Sequence, residues 1–176
     1  MSRCSLRFAG VWSMLAGAVF AADSGPAVES AVGPFSAFVV TGEAQPGAVD
    51  YPATRGDRPT VYCFIPRDKW SRPAARLVRK LDGDAAGIEE ARVVTVFLSD
   101  DVAGVKDYLP LCQQSLKLDR TVLAVFEANA SGPPEWGLNT DVPLTIVTAR
   151  HGKVTGNFAI ESPNETLADE ILKTLR

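Results

Sequence analysis

Few residues in this chain of 176 residues could carry chemistry. It contains three cysteines and one histidine, and none of them stands in a Cys-x-x-Cys pair or at metal-ligand spacing. Cys63 falls within an apolar strand pattern and Cys112 on the apolar face of a predicted helix. A free thiol in either setting is usually a small buried hydrophobe, and a Cys63–Cys112 disulfide is the alternative. The residues predict no metal, no cofactor and no catalytic group at these positions.

The first 21 residues are typical of a cleavable export signal. Arg3 and Arg7 give a positive start, residues 8–20 form an apolar run, and the run ends on the peptidase-type sequence Val19-Phe20-Ala21. Because a membrane-spanning helix needs about 20 apolar residues, this run is too short to be an anchor. We therefore expect cleavage, no membrane insertion afterwards, and a periplasmic or secreted location.

Composition limits the remaining possibilities. The net charge is −3 and no Lys/Arg stripe runs along the chain, which disfavours nucleic acid and anionic membranes as partners. After a small, polar stretch at residues 22–34, which predicts a flexible leader, the remaining length suits a single domain. Asn129 and Asn164 match glycosylation acceptors, and that match has meaning only in a eukaryotic source.

Strand and helix patterns alternate along residues 35–176. Helices are expected after Ser71, after Ser99 and after a capping box at Ser162, and Pro110 should kink or split the second helix. Residues 42–59 read as a long loop. Strands are predicted at 35–41, 60–65, 92–98, 121–126, 144–148 and 154–160. This order predicts an α/β three-layer sandwich with a mixed central sheet.

One segment resembles a known superfamily. Residues 140–147 (TDVPLTIV), followed by the turn sequence HGKV at 151–154, resemble the proline-strand-hairpin segment of thioredoxin-like proteins. The extra strand at 121–126 is similar to the insertion of the peroxiredoxin and TlpA-like branch. The resemblance implies a thioredoxin-like α/β/α domain over residues 35–176. It also implies a cis peptide bond between Val142 and Pro143.

The same resemblance places redox chemistry in the turn after strand 60–65. Redox members carry a Cys-x-x-Cys pair there, and peroxiredoxins a single cysteine, because a helix N-terminus stabilises the thiolate. In this chain the turn reads FIPRDKWSRP, and no cysteine stands anywhere from Phe64 to Leu111. The resemblance therefore implies a divergent member without the attacking thiol, more an inactive domain than an enzyme. A thiol-dependent oxidoreductase that uses Cys63 or Cys112 in an unusual position is the alternative.

A binding surface is the other hypothesis that the turn suggests. Ser71 is expected to cap a helix rather than act as a nucleophile, since no base partner is in view. The basic residues around it could favour an acidic partner. Tryptophans near the turn and the proline could form a groove for an unknown protein or peptide, or could simply pack on the rim of the domain. The groove would comprise Trp70, Ser71, Trp136, Val142 and Pro143. A purely structural role in an assembly is a third hypothesis.

Overall fold

Apolar and β-branched runs form the strands of this protein, and the helices lie between them. The computed structural model describes residues 23–43 and 45–176, so the predicted export signal at 1–21 lies outside the described residues. The elements are β1 (Ser36–Thr41), β2 (Gly47–Asp50), α1 (Tyr51–Arg55), β3 (Thr60–Pro66), α2 (Arg72–Asp84), β4 (Arg92–Leu98), α3 (Val102–Leu116), β5 (Thr121–Phe126), β6 (Leu144–Arg150), β7 (Lys153–Ile160) and α4 (Ala168–Lys173).

The strands form one mixed sheet in the order β2-β1-β5-β4-β3-β6-β7. β3, β4 and β5 run parallel to one another, and the other neighbouring pairs are antiparallel. Parallel neighbours need a crossover, which α2 supplies between β3 and β4 and α3 supplies between β4 and β5. The carboxyl ends of these three strands therefore meet at one edge of the sheet, from which α2 and α3 start.

Successive side chains along the strands point to opposite faces of the sheet and pack into two separate hydrophobic cores, one on each face. A sheet covered on both faces confirms the predicted α/β architecture. On one face, Val61, Cys63 and Ile65 of β3 pack with the buried sides of α2, α3 and α4. On the other face, Tyr62 and Phe64 pack with a thinner layer that includes Tyr51 of α1 and a turn around Trp136. The two outer layers are thus unequal. No helix among residues 23–43 and 45–176 is long and apolar enough to cross a bilayer.

The segment predicted to be a flexible leader is held against the domain instead. The Ser24 hydroxyl is buried and lies 2.6 Å from the Thr145 hydroxyl, and it accepts a hydrogen bond from the Asn139 N–H. Further along, the Glu29 N–H donates to the carbonyl of Val154 over 2.8 Å. For residues 23–34 the expectation was wrong, because these hydrogen bonds join residues more than 100 positions apart and leave no local pattern.

Three local predictions also need correction. The loop expected at 42–59 contains β2 and α1. Pro110 lies inside α3 without splitting it. The predicted capping box at Ser162 is replaced by Asn164, whose side chain accepts a hydrogen bond from the Thr166 N–H at the start of a short 3-10 turn. Asn164 caps the turn in place of Ser162 because it lies closer to the helix and its side-chain oxygen accepts a hydrogen bond as a serine hydroxyl would.

Candidate functional site

The turn after β3 leads directly into the first helix of the larger layer. β3 ends at Pro66, a 3-10 turn covers Arg67–Lys69, and α2 begins at Arg72 with Pro73 in its first turn. Ser71 occupies the N-cap position with extended backbone, but its hydroxyl makes no capping hydrogen bond. Ser71 therefore lies at the predicted N-cap position, but the hydrogen bond that a capping serine usually accepts is not formed.

Trp70 is the residue that this turn positions most firmly. Its indole Nε1–H donates to the Tyr108 hydroxyl of α3 over 2.9 Å, and its ring meets Phe97 of β4 edge-to-face at 5.2 Å. The Arg67 guanidinium lies over the Tyr108 ring at 4.2 Å from the centroid. The indole thus joins the start of α2 to α3 and leaves part of its surface exposed.

Between the start of α2 and the outer side of α3 lies an open cleft of about 470 Å³, which we call the α2–α3 cleft. Leu111 stands at its edge with 63% of its surface exposed, next to the partly exposed indole of Trp70. No acidic side chain lines the cleft. Its lining comprises Trp70, Ser71, Arg72, Ala75, Tyr108, Leu111, Cys112, Ser115 and Leu116.

Both cysteines of the described chain are free and buried, so the Cys63–Cys112 disulfide considered above is not formed. Cys63 lies in β3 with none of its surface exposed; burial raises the pKa of its thiol to about 12, and the Thr95 hydroxyl acts weakly in the opposite sense. Cys112 lies at the floor of the α2–α3 cleft. Burial raises the pKa of this thiol too, against the opposing effects of Tyr108 and Arg67.

The other residues predicted for a partner groove do not join Trp70. Trp136 is 1% exposed and belongs to the core on the opposite face of the sheet, where its Nε1–H donates to the Gly33 carbonyl over 3.1 Å. Val142 is buried, and neither it nor Pro143 lines the α2–α3 cleft.

The predicted cis bond between Val142 and Pro143 is wrong in this structure, where the bond is trans. The chain turns just before it, because the Val142 N–H donates to the Asn139 carbonyl over 3.2 Å. Because this turn already directs the chain into β6, which begins at Leu144, the chain reverses with the X-Pro bond in its ordinary trans state.

A second, charged cleft of about 610 Å³ lies where β3 and β4 end. Arg67, Asp68 and Lys69 line it together with Asp100 and Asp101 at the start of α3. Asp101 is the N-cap of that helix and accepts a hydrogen bond from the Gly104 N–H over 2.9 Å. Across the described part of the chain, no three His, Cys, Asp or Glu side chains converge as metal ligands would.

Sequence reasoning missed Tyr108 and Leu111 as residues of the site. Val105, Leu109 and Cys112 follow the helical repeat and are buried in α3, as the pattern predicted. The same repeat places the apolar residue Leu111 outside the buried face of α3. That mismatch was the signal in the sequence that could have indicated an exposed apolar side chain. Nothing in the sequence indicated that Tyr108 would receive the Trp70 hydrogen bond.

Comparisons with known proteins identify the fold. No protein-family model matches the sequence, and no curated protein matches it. Among solved structures, AhpC of Enterococcus faecalis aligns with a TM-score of 0.64 and 11% identity over 84% of this chain and 89% of that one. Peroxidoxin BcpB of Mycobacterium tuberculosis aligns with a TM-score of 0.58 and 16% identity, over 85% of this chain and 96% of that one.

A third similar structure is a secreted M. tuberculosis disulfide oxidoreductase homologous to E. coli DsbE. It aligns with a TM-score of 0.53 and 13% identity over 80% of this chain and 93% of that one. At such identities the likeness concerns the fold alone. The mixed sheet, the crossover helices and these alignments together show that the chain has a thioredoxin-like fold.

Proposed function

We propose that this protein is an exported, non-catalytic binding module that holds a segment of a protein or peptide partner in the α2–α3 cleft. One observation carries the proposal. The turn between β3 and α2, where the resemblance places a reactive thiol, contains no cysteine and instead directs the Trp70 indole toward an open apolar cleft. An aromatic wall beside an exposed leucine is suited to contact with a partner.

The environment of the two thiols supports a role without thiol chemistry. Burial raises the pKa of Cys63 to about 12, so its thiol stays protonated at neutral pH. Cys112 is 5% exposed, and its pKa is raised by burial. Because the thiolate is the attacking species, neither position favours the alternative of an oxidoreductase.

The hydroxyls of Ser71 and Ser115 are the serine nucleophiles that line the cleft, and both lack a general base. The one histidine of the chain, His151, lies exposed in the turn between β6 and β7. Activation of a serine requires a base within hydrogen-bonding distance, and the lining of the cleft includes neither a histidine nor a carboxylate. This composition supports binding over hydrolysis.

Export rests on the first 21 residues, whose pattern is that of a cleavable signal. The secreted oxidoreductase of the same fold lends support to an extracytoplasmic location. Cleavage after Ala21 would make Ala22 the first residue of the mature chain, two positions before the hydrogen-bonded Ser24. The N-terminal sequence of the protein recovered from the cell envelope or medium tests this point.

Thiol labelling tests the non-catalytic role. The unreduced protein is alkylated at neutral pH, first folded and then in denaturant, and the labelled thiols are counted by intact mass. We expect both thiols to label at least about 100-fold faster after denaturation, since a buried thiol reacts only when the structure opens. A Cys112→Ser variant serves as the matched control that isolates Cys63.

Rapid labelling of either thiol in the folded protein would contradict the proposal. So would catalytic reduction of insulin disulfides or of peroxide that disappears in Cys112→Ser or in Cys63→Ala. Labelling confined to the denatured state, together with no turnover in either assay, is the result that the proposal requires.

A further inference from the structure

We infer that the partner segment held in the α2–α3 cleft is acidic and presents one apolar anchor side chain. This inference rests on the proposed binding function and specifies the chemistry of its partner. It follows from three properties of the cleft, namely its apolar lining, its cationic rim and its size.

The apolar lining calls for an apolar anchor. Trp70, Leu111 and Leu116 supply an indole and two leucine side chains around a floor formed by Cys112. Leu111 and Val28 are the large apolar side chains that the described residues leave exposed. A side chain inserted beside Leu111 would remove apolar surface on both partners from water, which is the dominant favourable contribution in most protein association.

The α2–α3 cleft carries positive charge at its rim, and no acidic side chain lines it. Arg72 lines the cleft, and the Arg67 guanidinium lies over the ring of Tyr108, which also lines it. Neither of these two arginines forms an ion pair within residues 23–43 and 45–176. Arg67 also lines the charged cleft, together with Asp68, Asp100 and Asp101, whereas Arg72 lines the α2–α3 cleft.

This cluster contrasts with the rest of the chain. Residues 67–72, which form the turn and the start of α2, contain three basic residues and one acidic residue, whereas the whole chain has 18 basic and 21 acidic residues. A cationic surface on an acidic protein favours encounter with acidic segments and disfavours basic ones. Arginine in particular binds carboxylates through two parallel hydrogen bonds. The partner should therefore carry aspartate or glutamate on at least one side of its anchor.

The size of the cleft selects a segment rather than a folded surface. A volume of about 470 Å³ accommodates one or two side chains, as in sites that take a short peptide or a small ligand. A nucleic acid would match the positive charge, but two leucines line the cleft, and Trp70 and Tyr108 are its only aromatic lining residues. The combination of lining and charge thus favours an acidic peptide.

Selection from a random 12-residue peptide library displayed on beads tests the inference. Beads are sorted with the dye-labelled native protein and, separately, with its dye-labelled Leu111→Gln variant. The peptides that bind the native protein but not the variant are then sequenced. Glutamine is a good helix former and position 111 is exposed, so the variant should fold normally. We expect the Leu111-dependent peptides to carry a net negative charge and a central leucine, methionine or aromatic residue.

Charge reversal tests the rim with one selected peptide. Arg72→Glu should weaken binding about tenfold or more, while it suits the first turn of α2, where an acidic residue is favourable. Lys153→Glu, an exposed reversal on the β6–β7 hairpin, is the matched control and should leave binding unchanged. Affinity for the native protein should fall about tenfold between 0.05 and 0.5 M salt because the rim charges are exposed.

The outcomes separate the two proposals. Leu111-dependent peptides that are neutral or basic would overturn the acidic partner and leave the binding function in place. An absence of any Leu111-dependent peptide would overturn the cleft as the binding site, and with it this inference. Binding of a 12-residue single-stranded DNA in preference to the acidic peptides would overturn the peptide class of partner. Thiol labelling reports separately on the non-catalytic role, whichever result is obtained.

Discussion

Replacing Trp136 by phenylalanine tests whether this tryptophan belongs to the core rather than to a partner surface. The indole meets Phe35 and Tyr62 edge-to-face, at 5.1 and 5.3 Å, and its Nε1–H donates to the Gly33 carbonyl. Loss of that hydrogen bond costs about 1 kcal/mol. The smaller ring leaves a void of roughly 40 Å³, which costs about 1 kcal/mol at about 24 cal/mol per Å³. With the lost burial of apolar atoms, we expect the free energy of unfolding to fall by about 2–3 kcal/mol.

The assay is equilibrium unfolding in urea, followed by far-ultraviolet circular dichroism because the substitution changes tryptophan fluorescence. With a slope of about 2 kcal/mol per M for a domain of this size, the midpoint should fall by about 1–1.5 M. Trp70→Phe is the matched control. Its half-buried indole bonds to Tyr108 at the edge of the cleft, and we expect at most about half of the Trp136 effect. A Trp136→Phe midpoint within about 0.2 M of the native protein would refute the assignment of Trp136 to the core.

Two further predictions concern buried polar groups. Because burial raises the pKa of Cys63 to about 12 from 9.0, the unfolded chain releases this proton first, and stability should fall by up to about 1.4 kcal/mol per pH unit above pH 9. Cys63→Ala should remove that part of the decline between pH 8 and 10, and equal slopes in both proteins would contradict the pKa shift. The buried Asp82 carboxylate accepts two backbone N–H bonds from the loop before β5, so Asp82→Ala should cost about 2–3 kcal/mol and lower Tm. Asp84→Ala on the same helix removes only a surface ion pair and should change Tm far less; equal losses would argue against the two backbone bonds.

The sequence predicted the central strands well because their signal is local. β4 and β5 begin and end where their apolar runs do, and the starts of β3 and β6 also agree. In contrast, β2 has only four residues, and its hydrogen bonds go to β1 rather than along its own chain. Such a short edge strand within a segment rich in glycine and proline offers no periodicity to detect.

The candidate site was predicted only in part, for a related reason. Trp70 and Ser71 follow a strand and begin a helix, so their place near the end of the sheet could be deduced from neighbouring residues. The place of Trp136 depends on Phe35, Tyr62 and Gly33, which lie far away in the sequence and converge only in the folded protein. A single sequence does not distinguish a tryptophan that meets three such partners from one on the surface.

Leu111 is a better probe of function than Trp70, because folding already accounts for Trp70. The indole of Trp70 covers Phe97 and joins the two helices through Tyr108, so its loss would disturb the cleft whatever the cleft does. Leu111 lies on the exposed side of α3, where a polar residue would serve the helix equally well. A substitution at position 111 therefore changes the surface offered to a partner with little effect on stability. An effect on binding there, with the urea midpoint unchanged, would separate the function of the cleft from the stability of the fold.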